Sequence, residues 1–163
     1  MKKNTTIGKI KHVFDITKKS GIETFAYFMI GYIHETEQTI KKTIKFALEI
    51  DPDLIMFTVA TPLPGTPLFD MAVTEGFVSP DYWLNYAKGK SQCKRIPYFV
   101  PDAEKWMQRA YRSFYFRPAY IMRKIIKVKN IDELKKLAQA GLGLLSFKMK
   151  ADQSNRHKKY ENK

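Results

Sequence analysis

A chain of 163 residues can bury one ordinary core, with room for an appendage, and its 44% apolar and 28% charged residues place it among soluble globular proteins. No run approaches the roughly 18 apolar residues of a membrane-spanning helix, and the basic start lacks the apolar stretch of a signal peptide, so a cytoplasmic protein is expected. The one cysteine, Cys93, excludes an internal disulfide framework and any multi-thiolate metal site built by this chain alone.

The net charge of +13 is unevenly spread. Residues 1–20 carry six Lys against one Asp, while residues 21–101 carry seven basic and nine acidic groups. Residues 102–130 then hold eight basic against two acidic groups, and residues 131–163 eight against four. Basic flanks of this kind attract nucleic acid, acidic lipid or an acidic partner, and equally serve as a solvated surface.

In chain order, residues 6–20 predict a helix capped by Thr5 or Thr6, with Ile7, Ile10, Val13, Phe14 and Thr17 on one face and Ser20-Gly21 as the stop. Residues 24–30 are rich in aromatic and branched side chains and read as a strand buried on both faces. Thr36 opens a second helix with Ile40, Ile44, Ala47 and Leu48 at helical spacing, closed by Asp51-Pro52. Residues 54–60 form another continuous apolar run. Two such strands around one amphipathic helix make a β-α-β unit with parallel strands, which belongs to a barrel or a doubly wound sheet.

Residues 61–67 hold three prolines and continue neither strand nor helix. A short helix is predicted over 68–75, closed by Gly76. Residues 77–101 read as an irregular connection anchored by Tyr82, Trp83 and Tyr86. Asp102 opens a third strong helix, with Ala103, Trp106, Met107, Ala110, Tyr111 and Phe114 along one stripe, and Arg117-Pro118 breaks it. A basic helix restarts over 119–128. Asn130 and Glu133 then resemble a capping box for a last helix carrying Ile131, Leu134, Leu137, Ala138, Leu142 and Leu145. Residues 148–163 are polar and charged, and a disordered tail is expected there.

Parallel α/β architectures place ligands at the C-terminal ends of their strands. Those ends are Met29-Ile30-Gly31 and Val59-Ala60-Thr61. Gly31 permits a close approach or a positive φ, and Pro62 and Pro64 stiffen the second loop; the same residues also suit plain tight turns. His34 sits in a strand-end loop as an acid or base, or as a hydrogen-bonded turn residue.

Residues 21–76 resemble the last two β-α units of the six-fold partial barrel, TIM-barrel-like in kind, of radical S-adenosylmethionine (radical SAM) enzymes. The fifth strand of that family ends in G-x-I-x-G-x-x-x-E. The aligned residues are Tyr27, Met29, Gly31 and Glu35, so the second glycine and the glutamate match, while Tyr27 and Met29 depart from the pattern. The family's common Pro-Gly-Glu-Thr turn is reduced to Glu35-Thr36 in Ile33-His34-Glu35-Thr36. The run from Phe57 to Leu68 is similar to the sixth strand and its Pro-Gly-Thr loop, as found in the branch with an N-terminal cobalamin (B12)-binding domain. Met1 to Thr6 resembles the segment after the fourth strand. Phe114, Tyr115, Arg117 and Pro118 resemble that branch's C-terminal helical region. The likeness spans about residues 1–145.

The resemblance implies an α/β fold: a partial parallel (β/α) barrel fragment over residues 1–76, a connection over 77–101, a basic α-helical extension over 102–147 and the tail. It implies S-adenosylmethionine as cofactor, with Met29 packed on the adenine, Phe57, Val59 and Ala60 along its edge, Thr61 nearby, Gly31 giving room and Glu35 bracing the loop. The alternative for Met29, Phe57 and Val59 is ordinary barrel core. The family's 4Fe–4S cluster is held by three clustered cysteines. None is present here, so cluster and any cobalamin belong to a parent protein, the chain contributes no metal ligand, and alone it is expected to be inactive. The parent reaction would be a radical-based alkylation or rearrangement of an unidentified substrate, and the partner the N-terminal half of the barrel, in the same protein or a separate chain. The rival reading is a non-catalytic module whose basic helices bind nucleic acid through Tyr111, Tyr115, Phe116 and Tyr120, or an acidic membrane surface through Ile121, Met122, Ile125 and Ile126.

Overall fold

The computed structural model describes residues 5–90, 98–126, 128 and 130–146. Among these the order is α1 (Ile7–Lys19), β1 (Phe25–Ile30), α2 (Glu37–Ile50), β2 (Leu54–Val59), α3 (Pro67–Thr74), α4 (Tyr82–Ala87), α5 (Ala103–Tyr115), α6 (Pro118–Ile126) and α7 (Ile131–Ser146). The chain divides into two compact units, Met1–Ala110 and Tyr111–Lys163. Cys93 and residues 148–163 lie outside the described residues.

The first unit is organised by its strand starts. Asp53 accepts from both the backbone N–H and the hydroxyl of Thr24 at 2.9 Å, while the Asp53 N–H donates to that hydroxyl at 3.1 Å. Thr24 is buried and Asp53 half-buried, so water competes only partly for these bonds. One residue on, the Leu54 N–H reaches the Thr24 carbonyl at 3.0 Å. The strands then run parallel in register from Phe25 opposite Leu54 to Ile30 opposite Val59, as expected of a β-α-β unit.

Helix α2 covers one face of this pair. Thr36 and Thr39 cap it reciprocally, a threonine replacing the usual Glu or Gln at the third position, and Asp51 ends it in the left-handed region at φ 46°. Ile40, Ile44, Ala47 and Ile50 are buried, and Phe46 meets Phe28 edge-on while Phe28 stacks on Phe57. The covered face of the sheet holds Ala26, Phe28, Ile30, Ile55 and Phe57. The other face holds Phe25, Tyr27, Met29 and Met56, and Tyr27 is 72% exposed. Burial of both strand faces, as the continuous apolar runs suggested, is therefore not what the described residues provide. The side chains alternate with period two, and only the α2 face has cover.

Helix α1 is capped by Thr6, whose hydroxyl accepts from the Lys9 N–H at 3.2 Å, and it is tethered to α2 by Lys11–Glu49 at 2.6 Å. None of its residues is fully buried, and Ile7, Val13 and Ile16 are exposed. Helix α3 starts with Thr66 as cap and Pro67 at its first position, and Gly76 follows with φ 75°. Residues 77–101 are not wholly irregular, because α4 forms within them. Its Trp83 indole N–H donates to the Pro62 carbonyl at 2.6 Å, pinning this short helix to the proline-rich loop. The first part of α5 buries Ala103, Trp106, Met107 and Ala110 in this unit, with Lys41 and Arg109 placed over the Trp106 ring at 5.6 and 5.2 Å.

In the second unit the end of α5 turns at Arg117, whose guanidinium lies 4.3 Å from the Phe114 ring and whose Nε donates to the Phe114 carbonyl. Phe114 and Tyr120 are buried against each other, and Tyr115 packs edge-on to Tyr120. Proline at its first position starts α6, one residue before the predicted restart. Asn130 caps α7 by accepting from the Glu133 N–H at 2.9 Å. No helix among the described residues is long and apolar enough to cross a membrane.

Two outcomes follow for the isolated chain. The uncovered sheet face should drive self-association and binding of a hydrophobic dye, both reduced by Tyr27→Lys/Met56→Lys; sedimentation velocity showing a dye-silent monomer before substitution contradicts this. In that double-substituted background, Asp53→Ala should lower stability by about 2 kcal/mol in urea denaturation, because the buried Thr24 donors lose their acceptor.

Candidate functional site

The C-terminal ends of β1 and β2 meet in a tightly braced corner. Beyond Ile30, Gly31 turns with φ 75°, a conformation that costs other residues roughly 1–2 kcal/mol. A side chain there would also crowd Val59, whose Cγ1 stands 3.1 Å from the position of an added Cβ, with the Ala103 Cβ at 3.8 Å. Gly31 is thus favoured by its conformation, and a side chain there would need Val59 to yield by a few tenths of an ångström.

The loop that follows is closed on itself by Glu35. Its carboxylate accepts from the N–H of Gly31 and from that of Tyr32, and the Glu35 N–H donates to the Tyr32 carbonyl at 2.9 Å. Successive backbone donors pointing at one carboxylate make a charge-assisted clamp. Ile33 is buried beneath it, and His34 adopts φ 62° with its Nε2 2.9 Å from Glu75 Oε1. The His34 side chain is largely exposed, and its contact joins the β1 loop to the end of α3.

On the other strand the Ala60 N–H donates to the Ile30 carbonyl at 2.8 Å, extending the ladder past Val59. Thr61 turns its hydroxyl to the Val59 carbonyl at 3.3 Å. Pro62 is buried, with its carbonyl held by Trp83, and the Thr66 hydroxyl donates to the Leu63 carbonyl at 2.6 Å before α3 begins. Both loops leaving the strands are therefore fixed by their own hydrogen bonds.

The structure brings some of the sequence-selected residues together and separates others. Gly31, Glu35 and Val59 share the corner, with Ala60 joined to Ile30 and Thr61 just beyond. Met29 is 44% exposed on the open face, where its strand partner is Thr58. Phe57, only 2% exposed, points the opposite way into the α2 layer, and Val59 shares its side of the sheet. Side chains of Met29 and of Phe57 or Val59 thus do not line one slot.

The residues that do stand with Met29 include Tyr27, Met56 and Thr58; of these the sequence named only Tyr27, as a departure from the family pattern, and placed none in the site. A strict two-residue count outward from Met29, carried across the register to β2, would have found them. Thr58 adds the polar group on this face, its hydroxyl donating to the Phe28 carbonyl at 3.3 Å. Among the described residues no group of three or more His, Cys, Asp or Glu is placed to hold a metal ion.

No family model matches the chain. Over 110 residues, 68% of its length, it is 34% identical to an uncharacterized methyltransferase of Pyrococcus horikoshii, covering 24% of that protein. Over 67 residues it is 36% and 37% identical to the anaerobic magnesium-protoporphyrin IX monomethyl ester cyclases of Cereibacter sphaeroides and Rubrivivax gelatinosus, covering 11% and 12% of them. The chain thus matches about a quarter or less of the length of each of these relatives.

The Glu35 clamp has a local readout. Glu35→Ala should speed amide hydrogen exchange at Gly31 and Tyr32 by about tenfold or more, since a charged hydrogen bond contributes roughly 1.5–3 kcal/mol, while amides of the β1–β2 ladder stay protected. Unchanged exchange at both amides would show that the loop holds itself without the carboxylate.

Proposed function

We propose that this chain is part of a radical SAM enzyme of the cobalamin-binding branch and forms the adenine-side wall of its S-adenosylmethionine pocket. The observation that carries the reading is the end of β1: an outward Met29 on an uncovered face, a positive-φ Gly31, and Glu35 clamping the loop between them. The same order of Gly31 and Glu35 carries the resemblance to the family's fifth strand. The relatives support it as well, one being named a methyltransferase and two being named cyclases.

The residues suit one wall of a pocket for a flat, polar-edged base. Met29 offers a polarizable thioether to a ring face, and Thr58 stands beside it across the register. Gly31 keeps the first loop clear of Val59, and Glu35 holds its backbone still. Phe57 and Val59 support the wall from behind, while Ala60 and Thr61 carry the β2 backbone along its edge. S-adenosylmethionine would supply the reactive carbon chemistry when bound, a radical-based alkylation or rearrangement in the parent. This chain would orient it and exclude water. The 4Fe–4S ligands and the first four strands belong, in this reading, to the N-terminal half of the barrel. Alone, the chain is inactive.

Two measurements test this. Anaerobic reconstitution of the isolated chain with iron and sulfide should give no stoichiometric cluster absorbance and no 5′-deoxyadenosine. Combined with a polypeptide carrying the first four strands and a Cys-x3-Cys-x2-Cys segment, it should bind S-adenosylmethionine, and Met29→Lys should weaken that binding about tenfold by placing a charge where an apolar contact is needed. Cleavage by the chain alone, or an unaffected Met29→Lys, would overturn the proposal.

A further inference from the structure

Helix α6 turns its aliphatic side chains outward. Ile121, Met122, Ile125 and Ile126 are all exposed, Ile126 to 77%, while Tyr120 on the opposite side is buried. At 3.6 residues per turn the four apolar residues span an arc of about 140°. Tyr120 lies across the axis from the centre of that arc, so the helix is anchored with its apolar stripe facing away from its own unit. Arg123 and Lys124 fall on the two sides of the stripe, at 5.9 and 5.5 Å from the Tyr120 ring centre.

Charge points the same way. No carboxylate side chain occurs from Lys105 through Ile131, and residues 111–163 hold fourteen basic against four acidic groups, a net +10 of the chain's +13. We propose that α6 docks lengthwise on an anionic lipid surface, with the aliphatic stripe inserted among the acyl chains and the flanking cations at the headgroup phosphates. An apolar stripe bordered by Lys and Arg is the arrangement that holds helices in the membrane interface, where both terms act together.

The aromatic arrangement favours lipid over nucleic acid. Stacking on bases needs open ring faces. Here Phe114 and Tyr120 are buried, and Tyr111, Tyr115 and Tyr120 pack on one another or on Phe114. What the helix presents instead is an aliphatic stripe, with its one aromatic ring, Tyr120, buried.

Flotation of the full chain carrying Tyr27→Glu/Met56→Glu, which interrupts the open sheet face as a competing apolar surface without adding cations to it, tests the proposal. The chain should float with vesicles of equal phosphatidylserine and phosphatidylcholine at roughly 0.1 M salt, and about tenfold less with phosphatidylcholine alone. Ile125→Asp/Ile126→Asp, at exposed positions, should weaken binding to the anionic vesicles by about tenfold or more while leaving the circular dichroism spectrum unchanged. No flotation with anionic vesicles, or flotation indifferent to Ile125→Asp/Ile126→Asp, would overturn the proposal. Preferential binding of a single-stranded oligonucleotide or of polyglutamate in competition with the vesicles would overturn it too.

Discussion

The three hydrogen bonds between Thr24 and Asp53 set the register on which the rest of the first unit depends. With Leu54 held opposite Phe25, Val59 must fall opposite Ile30, and only then does the turn after Ile30 come to rest against Val59. A slip of one residue would carry Phe57 to the face of Met29 and put Met56 under α2, inverting every side chain of the strand. The latch sits at the opposite end of the sheet from the braced corner, with the ladder carrying its geometry from one to the other.

The second constraint is that one helix covers one face. On the α2 side Ile40 and Ile44 are buried and Phe46 meets Phe28, which stacks on Phe57; a buried side chain of the size of Ile or Phe contributes roughly 1.5–3 kcal/mol. Nothing among the described residues does the same for Phe25, Tyr27, Met29 and Met56. The unit is therefore asymmetric, tightly packed behind the sheet and bare in front of it. Its candidate site lies at the rim between these two environments, where the backbone is fixed yet a surface remains to be contacted.

Much of this architecture is legible in the residues. Thr6, Thr36 and Asn130 announce their helices because a short side-chain acceptor before an apolar-periodic run has little else to do. The parallel pairing follows from two apolar runs joined by an amphipathic helix. The facing of the strands is not legible in the same way, since Tyr27, Met29 and Met56 are as apolar as Ala26, Ile30 and Ile55, and the period of two vanishes from the composition. Helix α4 escapes detection because it is six residues long and Asp81 makes no side-chain cap; its anchor is a tertiary bond from Trp83 to Pro62. In the corner, Gly31 and Glu35 could be read from their spacing. The grouping of Phe57 and Val59 with Met29 could not survive the pleat.

The bond from Trp83 to Pro62 has an optical consequence. The chain has two tryptophans, and they report on different places. The Trp83 indole N–H is engaged by the very loop that leaves β2, whereas Trp106 lies buried in α5 with cations over its ring. Release of the Pro62 carbonyl would free the Trp83 indole to water and shift its emission to the red, leaving Trp106 as an internal reference. The rim of the sheet thus comes with a native fluorophore bonded to its loop, and the replacement of Trp106 by Phe isolates that signal.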